Sequence, residues 1–321
     1  MPRTTTGTEW PADALQFFQG ADRVPKDLLR RHKADVQGRL EARLKNKSAA
    51  LESARYWKKL RPSTASAAGR AAKQAFAGLR GITDRVAKQK VAVPAPVLEM
   101  PGFLPGVYSM RLTPPYDYGN TLALGDPTDE GFGVADAAAS ADKVSGQMEV
   151  SVSTGGVKPS SGVTKLNLGL AQAELGVFFR PLFGPAILRV WANPSFAFYW
   201  WINAAVDDGT TAGVCALWIT GYKGTKVLGD SGSGQQSTLW ERDLFGIVEW
   251  DFQSNPGFPL AAQLEVDTSH FYVLGVSCEC DASGGGWPGG SLAGGHLSMT
   301  LPSITLELIP ILVVNPDNAA A

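Results

Sequence analysis

Cysteine is scarce in this chain, three in 321 residues, and an odd number cannot close a full set of disulfides. That argues against a disulfide scaffold and fits a reducing compartment. Histidine is equally scarce, also three, and there is no Cys-x-x-Cys pair, so the usual spacing of a structural zinc site is missing. Long apolar runs are absent too. SFAFYWWINAAV at 195–206 falls far short of the ~20 residues that a membrane-spanning helix needs. The first thirty residues carry Asp13, Asp22 and Asp27 and no apolar stretch, which argues against a secretory leader and predicts a soluble, cytoplasmic protein without a membrane span. The glycine-rich GGGWPGG has no Lys-Ser or Lys-Thr ending and no helix after it, so it is not a phosphate loop. No motif calls for a cofactor or a metal.

The charge that is present is unevenly placed. Formal net charge is −1, yet residues 1–92 hold 20 Lys and Arg against 8 Asp and Glu, and residues 93–321 hold 9 against 22. Two electrostatically opposite segments share one chain. In the basic segment, Leu29, Val36, Leu40, Leu44, Leu51, Ala54 and Leu60 recur at helical spacing until Pro62 ends the pattern. Ser63 caps a second predicted helix with the stripe Ala68, Ala72, Ala75, Leu79, Ile82 and Val86, making a helical hairpin. PADALQFFQG at 11–20 predicts a short helix ahead of the pair. Pairs at i,i+4, among them Asp27 with Arg31 and Asp35 with Arg39, answer part of the basic charge.

Pro94, Pro96, Pro101 and Pro105 then impose an extended linker over 93–106. From 107 onward the apolar period is two. In QMEVSVST, Met148, Val150 and Val152 share a face, and runs of the same kind recur between Gly, Pro, Asn, Asp and Ser clusters. The expected fold is therefore mainly β: an antiparallel β-sandwich or jelly roll over 107–321, preceded by a basic α-helical hairpin over 1–92.

Candidate chemistry concentrates in three places. EVDTSHFYVLGVSCEC at 265–280 crowds Asp267, Ser269, His270, Cys278 and Cys280 together. In a strand, Ser269 and His270 point to opposite faces, so they are not expected to form a catalytic dyad. Cys278 and Cys280 read as small buried apolar residues. DTSHFY resembles the tyrosine corner of immunoglobulin-like sandwiches, which implies a Tyr272 hydroxyl closing the turn back on the backbone.

VEWDFQ at 248–253 places Glu249 and Asp251 on one face, with Val248, Trp250 and Phe252 on the other as the apolar side. The string resembles the Glu-x-Asp-x-x-Glu strand motif of jelly-roll glycoside hydrolases, which implies a carboxylate pair at Glu249 and Asp251. Gln253 and Ser254 stand where that family needs its acid, so catalysis is not expected. The third place is Trp287, held among glycines as a possible ligand platform, whereas Trp191, Trp200, Trp201, Trp218, Trp240 and Trp250 read mostly as core.

The expected function is a non-enzymatic binding or assembly protein. Its basic arm would contact nucleic acid or another polyanion, or a partner subunit, through Arg30, Arg31, Lys33, Arg43, Lys47, Lys58, Lys59 and Arg61. Glycan recognition by the sandwich is the alternative. A third reading is self-association, since a jelly roll behind a basic arm resembles the plan of small-virus coat proteins.

Overall fold

The computed structural model describes residues 15–17, 26–59, 107–125, 135–154, 167–182, 184–203, 208–223, 226–227, 233–245, 248–284 and 292–311. Along the chain the elements are β1 (Leu15–Phe17), α1 (Lys26–Lys59), β2 (Tyr108–Leu112), β3 (Tyr118–Gly125), β4 (Ala135–Asp142), β5 (Gln147–Thr154), β6 (Asn167–Pro181), β7 (Ala186–Ala192) and β8 (Ser195–Asn203). They continue as β9 (Asp208–Lys223), β10 (Lys226–Val227), β11 (Ser233–Phe245), β12 (Val248–Asn255), β13 (Leu260–Val266), β14 (Phe271–Gly284), β15 (Leu292–Thr300) and β16 (Ile304–Pro310). Residues 1–41 and 105–321 form one compact unit, and 42–104 form another.

The strands build three antiparallel sheets, in line with the alternating apolar pattern. The first runs β6–β14–β9 at its centre, with β1 and β3 on the free side of β6 and β10 and β11 on that of β9. The second is ordered β12–β8–β15–β5–β4, and the third β13–β7–β16–β2. The second and third share an order, because β12 leads into β13, β7 into β8 and β15 into β16 through short corners such as Asn193–Pro194. They act as one sheet bent at those corners, facing the first.

One core lies between these layers. Leu175, Val177 and Phe179 from β6, Leu274 and Val276 from β14, and Leu217 and Ile219 from β9 meet Val150, Phe198, Trp200 and Leu297 from the second sheet and Leu188 and Leu306 from the third. Cys215, Cys278 and Cys280 are wholly buried in it as free thiols, as read from the sequence. Burial pushes the Cys215 thiol up to about 12, and raises that of Cys278 further.

The long helix predicted from Pro25 is present as α1, and the predicted second helix lies outside the described residues. The buried stripe of α1 is Leu28, His32, Val36 and Leu40, an i,i+4 series with a histidine inside it. Burying each of these aliphatic side chains contributes about 1.5–3 kcal/mol. The short helix predicted at 11–20 is corrected at its centre: Leu15–Phe17 is a strand, antiparallel to Phe179–Pro181 of β6. The free backbone groups at a sheet edge outweigh a weak local helix signal.

The glycine-rich stretch 281–295 is likewise strand at both ends, with Asp281–Gly284 in β14 and Leu292–Gly295 in β15. Three glycines face tryptophans directly across neighbouring strands: Gly213 opposes Trp240, Gly275 opposes Trp218, and Gly294 opposes Trp201. In each pair a Cβ on the glycine would clash with the tryptophan ring, so the indole lies over the bare backbone of the next strand.

Candidate functional site

The outer face of the second sheet carries an aromatic surface. Phe198, Trp200 and Ile202 of β8 point into the core, so Tyr199 and Trp201 point out. Register then places β12. Trp250 pairs with Trp201 and Phe252 with Tyr199, which puts both on the outer face, whereas Glu249 and Asp251 pair with the core-facing Ile202 and Trp200.

The sequence expectation for β12 is therefore inverted: Trp250 is 74% exposed and Phe252 60%. Alternation alone cannot say which face of a strand turns inward, and the pairing with β8 decides it. Trp200 and Trp240 are core tryptophans as expected, and Trp250 is not.

On β15, His296 opposes Tyr199 and stacks on it, with ring centroids 5.0 Å apart and planes 15° apart. Glu149 Oε1 of β5 lies 3.5 Å from His296 Nε2. Next to this pair, Trp201 lies across β15 over Gly294. The surface thus has two rows across three strands, Trp250–Trp201–Gly294 and Phe252–Tyr199–His296. At a strand spacing of ~4.8 Å and ~7 Å between alternate residues, it is a floor about 10 Å wide.

Its charge is one-sided. Three acids line it, Asp136 and Asp142 of β4 and Glu149 of β5, and the strands β4, β5, β8, β12 and β15 contain no Lys or Arg.

The carboxylates of the glycosidase-like string do not serve this surface. They lie on the opposite face of β12, and Asp251 accepts hydrogen bonds from the Phe252 backbone N–H at 2.8 Å and from Gln253 Nε2 at 2.9 Å.

The Asp-Ser-His crowd is a turn. Ser269 and His270 precede β14 rather than lying within it, so they do come within reach, with Ser269 Oγ 2.9 Å from His270 Nδ1. Asp267 Oδ1 lies 2.6 Å from the same nitrogen and accepts from the Ser269 hydroxyl at 2.7 Å. The hydroxyl proton is turned to the carboxylate, so the trio ties the turn together and no base activates Ser269. Burial works upward on the Asp267 carboxyl, but the hydrogen bonds from Ser269 and His270 outweigh it and hold the group below its ordinary value. The Tyr272 hydroxyl accepts the Asp267 backbone N–H at 3.0 Å, as the tyrosine-corner resemblance implies.

The sequence reading missed a polar cluster on the outer face of the first sheet. His32 of α1 is fully buried there, with Nε2 2.9 Å from Glu174 Oε1 on β6 and Nδ1 3.1 Å from the Tyr222 hydroxyl on β9. The Tyr118 hydroxyl of β3 donates to the same Glu174 oxygen at 2.5 Å. Trp218, laid over Gly275, stacks under His32 at 5.2 Å, and the Arg39 guanidinium sits 5.4 Å from its ring.

Arg39 is thereby drawn away from its expected partner. Asp35 pairs with Arg31 at 3.1 Å, and Asp27 with Arg30 at 3.0 Å. Burial first, then the charge of Glu174, raises the Tyr118 phenol. A histidine set between Leu28 and Val36 was the available signal.

Of the basic residues singled out, Arg30, Arg31 and Lys33 are exposed on α1 and Arg43 is half-buried. The side chains of Lys47, Lys58 and Lys59 lie outside the described residues, as do Arg61 and Trp287. No helix among the described residues is long and apolar enough to cross a membrane, and none of their side chains group as a metal site.

Fold and site define a β-sandwich with an aromatic outer face. No family model and no curated protein matches the chain. Three solved structures align with it weakly. The carbohydrate-binding module TmCBM61 in complex with β-1,4-galactotriose is 14% identical, over 50% of this chain and 86% of that one, at a TM-score of 0.14. A GH31 α-xylosidase from Xanthomonas citri is 7% identical over 64% and 25%, at 0.13. The infectious bursal disease virus Gx strain structure is 11% identical over 64% and 43%, at 0.11. Superpositions this weak say nothing about ligand or activity.

Proposed function

We propose that this chain is a non-enzymatic carbohydrate-binding β-sandwich whose ligand stacks on the outer face of β12, β8 and β15. The observation that carries the reading is the exposure of Trp250, Phe252 and Tyr199 side by side on a rigid sheet. Leaving an aromatic side chain in water forgoes about 1.5–3 kcal/mol of burial, and three together mark a surface meant to be covered. A pyranose ring offers an apolar C–H face to an indole or phenol, while its hydroxyls meet polar neighbours. Here those neighbours are His296, Glu149, Ser151 and Ser153, which flank the rings on β15 and β5.

The test is retention of the full chain on immobilised neutral polysaccharides (cellulose, galactan, mannan, xylan and laminarin), compared with Trp250→Ala. Retention of the wild type by at least one of them, lost in the variant, supports the proposal. No retention at all, or equal retention of both proteins, refutes it.

A further inference from the structure

We infer that Gly294 is a positioning residue that lays Trp201 flat as a second stacking position, so that the face takes an uncharged, linear glycan running across the strands from Trp250 to Trp201. This rests on the carbohydrate-binding reading and names the ligand class and the residue that shapes the site.

Three observations lead to it. A Cβ at 294 would come within 1.7 Å of the six-membered ring of Trp201, so only glycine lets the indole fold over β15. With any larger residue the ring has to stand away from the sheet, breaking a floor that Trp250, opposite it on β12, begins.

The same device occurs elsewhere in this molecule with its occupant in place. On the first sheet, Trp218 lies over Gly275, and the flat imidazole of His32 stacks on it with planes 27° apart. A tryptophan laid over a glycine offers its free face to a flat group. On the second sheet Trp201 is half-buried, no aromatic ring of the described residues stacks on it or on Trp250, and Trp250 stays 74% exposed.

Charge then restricts the ligand. Asp136, Asp142 and Glu149 line the outer face, and its five strands contribute no Lys or Arg, so uronate or sulfated chains and nucleic acid meet repulsion from these carboxylates.

The experiment titrates the full chain with oligosaccharides of one to six units cut from the neutral polysaccharide that retains it best, and with oligogalacturonates of equal length. Wild type, Gly294→Ala, Trp201→Ala and the double variant are compared. Affinity is expected to rise with length in the wild type. Gly294→Ala should lower it for the longer chains by about three- to tenfold, the range one aromatic stacking contact supports, and leave the single sugar unchanged. The substitution should have no effect once Trp201 is gone. Acrylamide quenching of tryptophan fluorescence without ligand should increase in Gly294→Ala as the indole lifts.

Unchanged affinity in Gly294→Ala, an equal loss at every length, or oligogalacturonates binding as well as neutral chains would overturn the inference while Trp250-dependent binding stands. A wild type that binds no neutral oligosaccharide overturns both. Should Gly294→Ala fail to fold, Trp201→Ala alone decides: loss of the length dependence supports the second stacking position, and its persistence overturns it.

Discussion

His32 of α1 and Glu174 of β6, 142 residues apart in the chain, meet at 2.9 Å with both side chains out of contact with water. The Tyr118 hydroxyl donates to the same Glu174 oxygen, so that oxygen gathers His32 and Tyr118 from two different elements. The pair fixes the rotation of α1 about its axis, because only one side chain on the stripe can reach Glu174.

The first prediction concerns that pair. His32→Ala and Glu174→Ala should each cost about 3–5 kcal/mol, since either leaves a polar partner buried and unmatched. The His32→Leu, Glu174→Leu double change should cost much less than the sum. Urea unfolding measures the totals, and amide exchange over 26–41 reports whether α1 releases first. Additive losses would show that the two side chains act independently.

Tyr272→Phe removes the acceptor of the Asp267 N–H at the entry to β14. The expected loss is about 1 kcal/mol by denaturant titration, with no change in the slope of the transition.

Acid should act at the same turn. The folded-state value of Asp267 lies below its ordinary 3.8, so its contribution to stability is complete above that pH and is lost as pH falls through the folded-state value. Melting curves between pH 5 and 2 should therefore show a shallower acid dependence in Asp267→Asn than in the wild type. Parallel curves would place the acid sensitivity elsewhere.

The three thiols should be silent in the folded protein. Cys215, Cys278 and Cys280 have no exposed surface, and burial disfavours the thiolates of Cys215 and Cys278. Ellman's reagent at pH 8 should count none in the native state and three after unfolding in urea; rapid reaction of the native protein would contradict the buried placement.

Surface changes on the aromatic floor should separate binding from stability. Phe252→Ser removes a side chain that is 60% exposed, so its effect on unfolding should stay within about 0.5 kcal/mol while glycan retention falls. A large loss of stability would mean that the floor is structural.

Much of this architecture was legible because it follows from local period. Alternation at two marks QMEVSVST as a half-buried strand in any sequence, and the Leu and Val series from Pro25 marks α1. Local chemistry also carried the tyrosine corner, since Asp267 and Tyr272 are near neighbours along the chain. Faces were not legible. In VEWDFQ the two sets of side chains are interchangeable until β12 is hydrogen-bonded to β8, and one residue of register exchanges the exposed pair for the buried one.

The sequence by itself determined that this chain makes antiparallel strands behind a basic helix, because side-chain period and proline placement act over a few residues. Only the tertiary structure decided that His32 would be buried, that Trp250 would not, and that three glycines would lie beneath three tryptophans. Each of those depends on a partner strand or helix distant in the chain, and cross-strand register is a property of the packed sheet rather than of either segment alone.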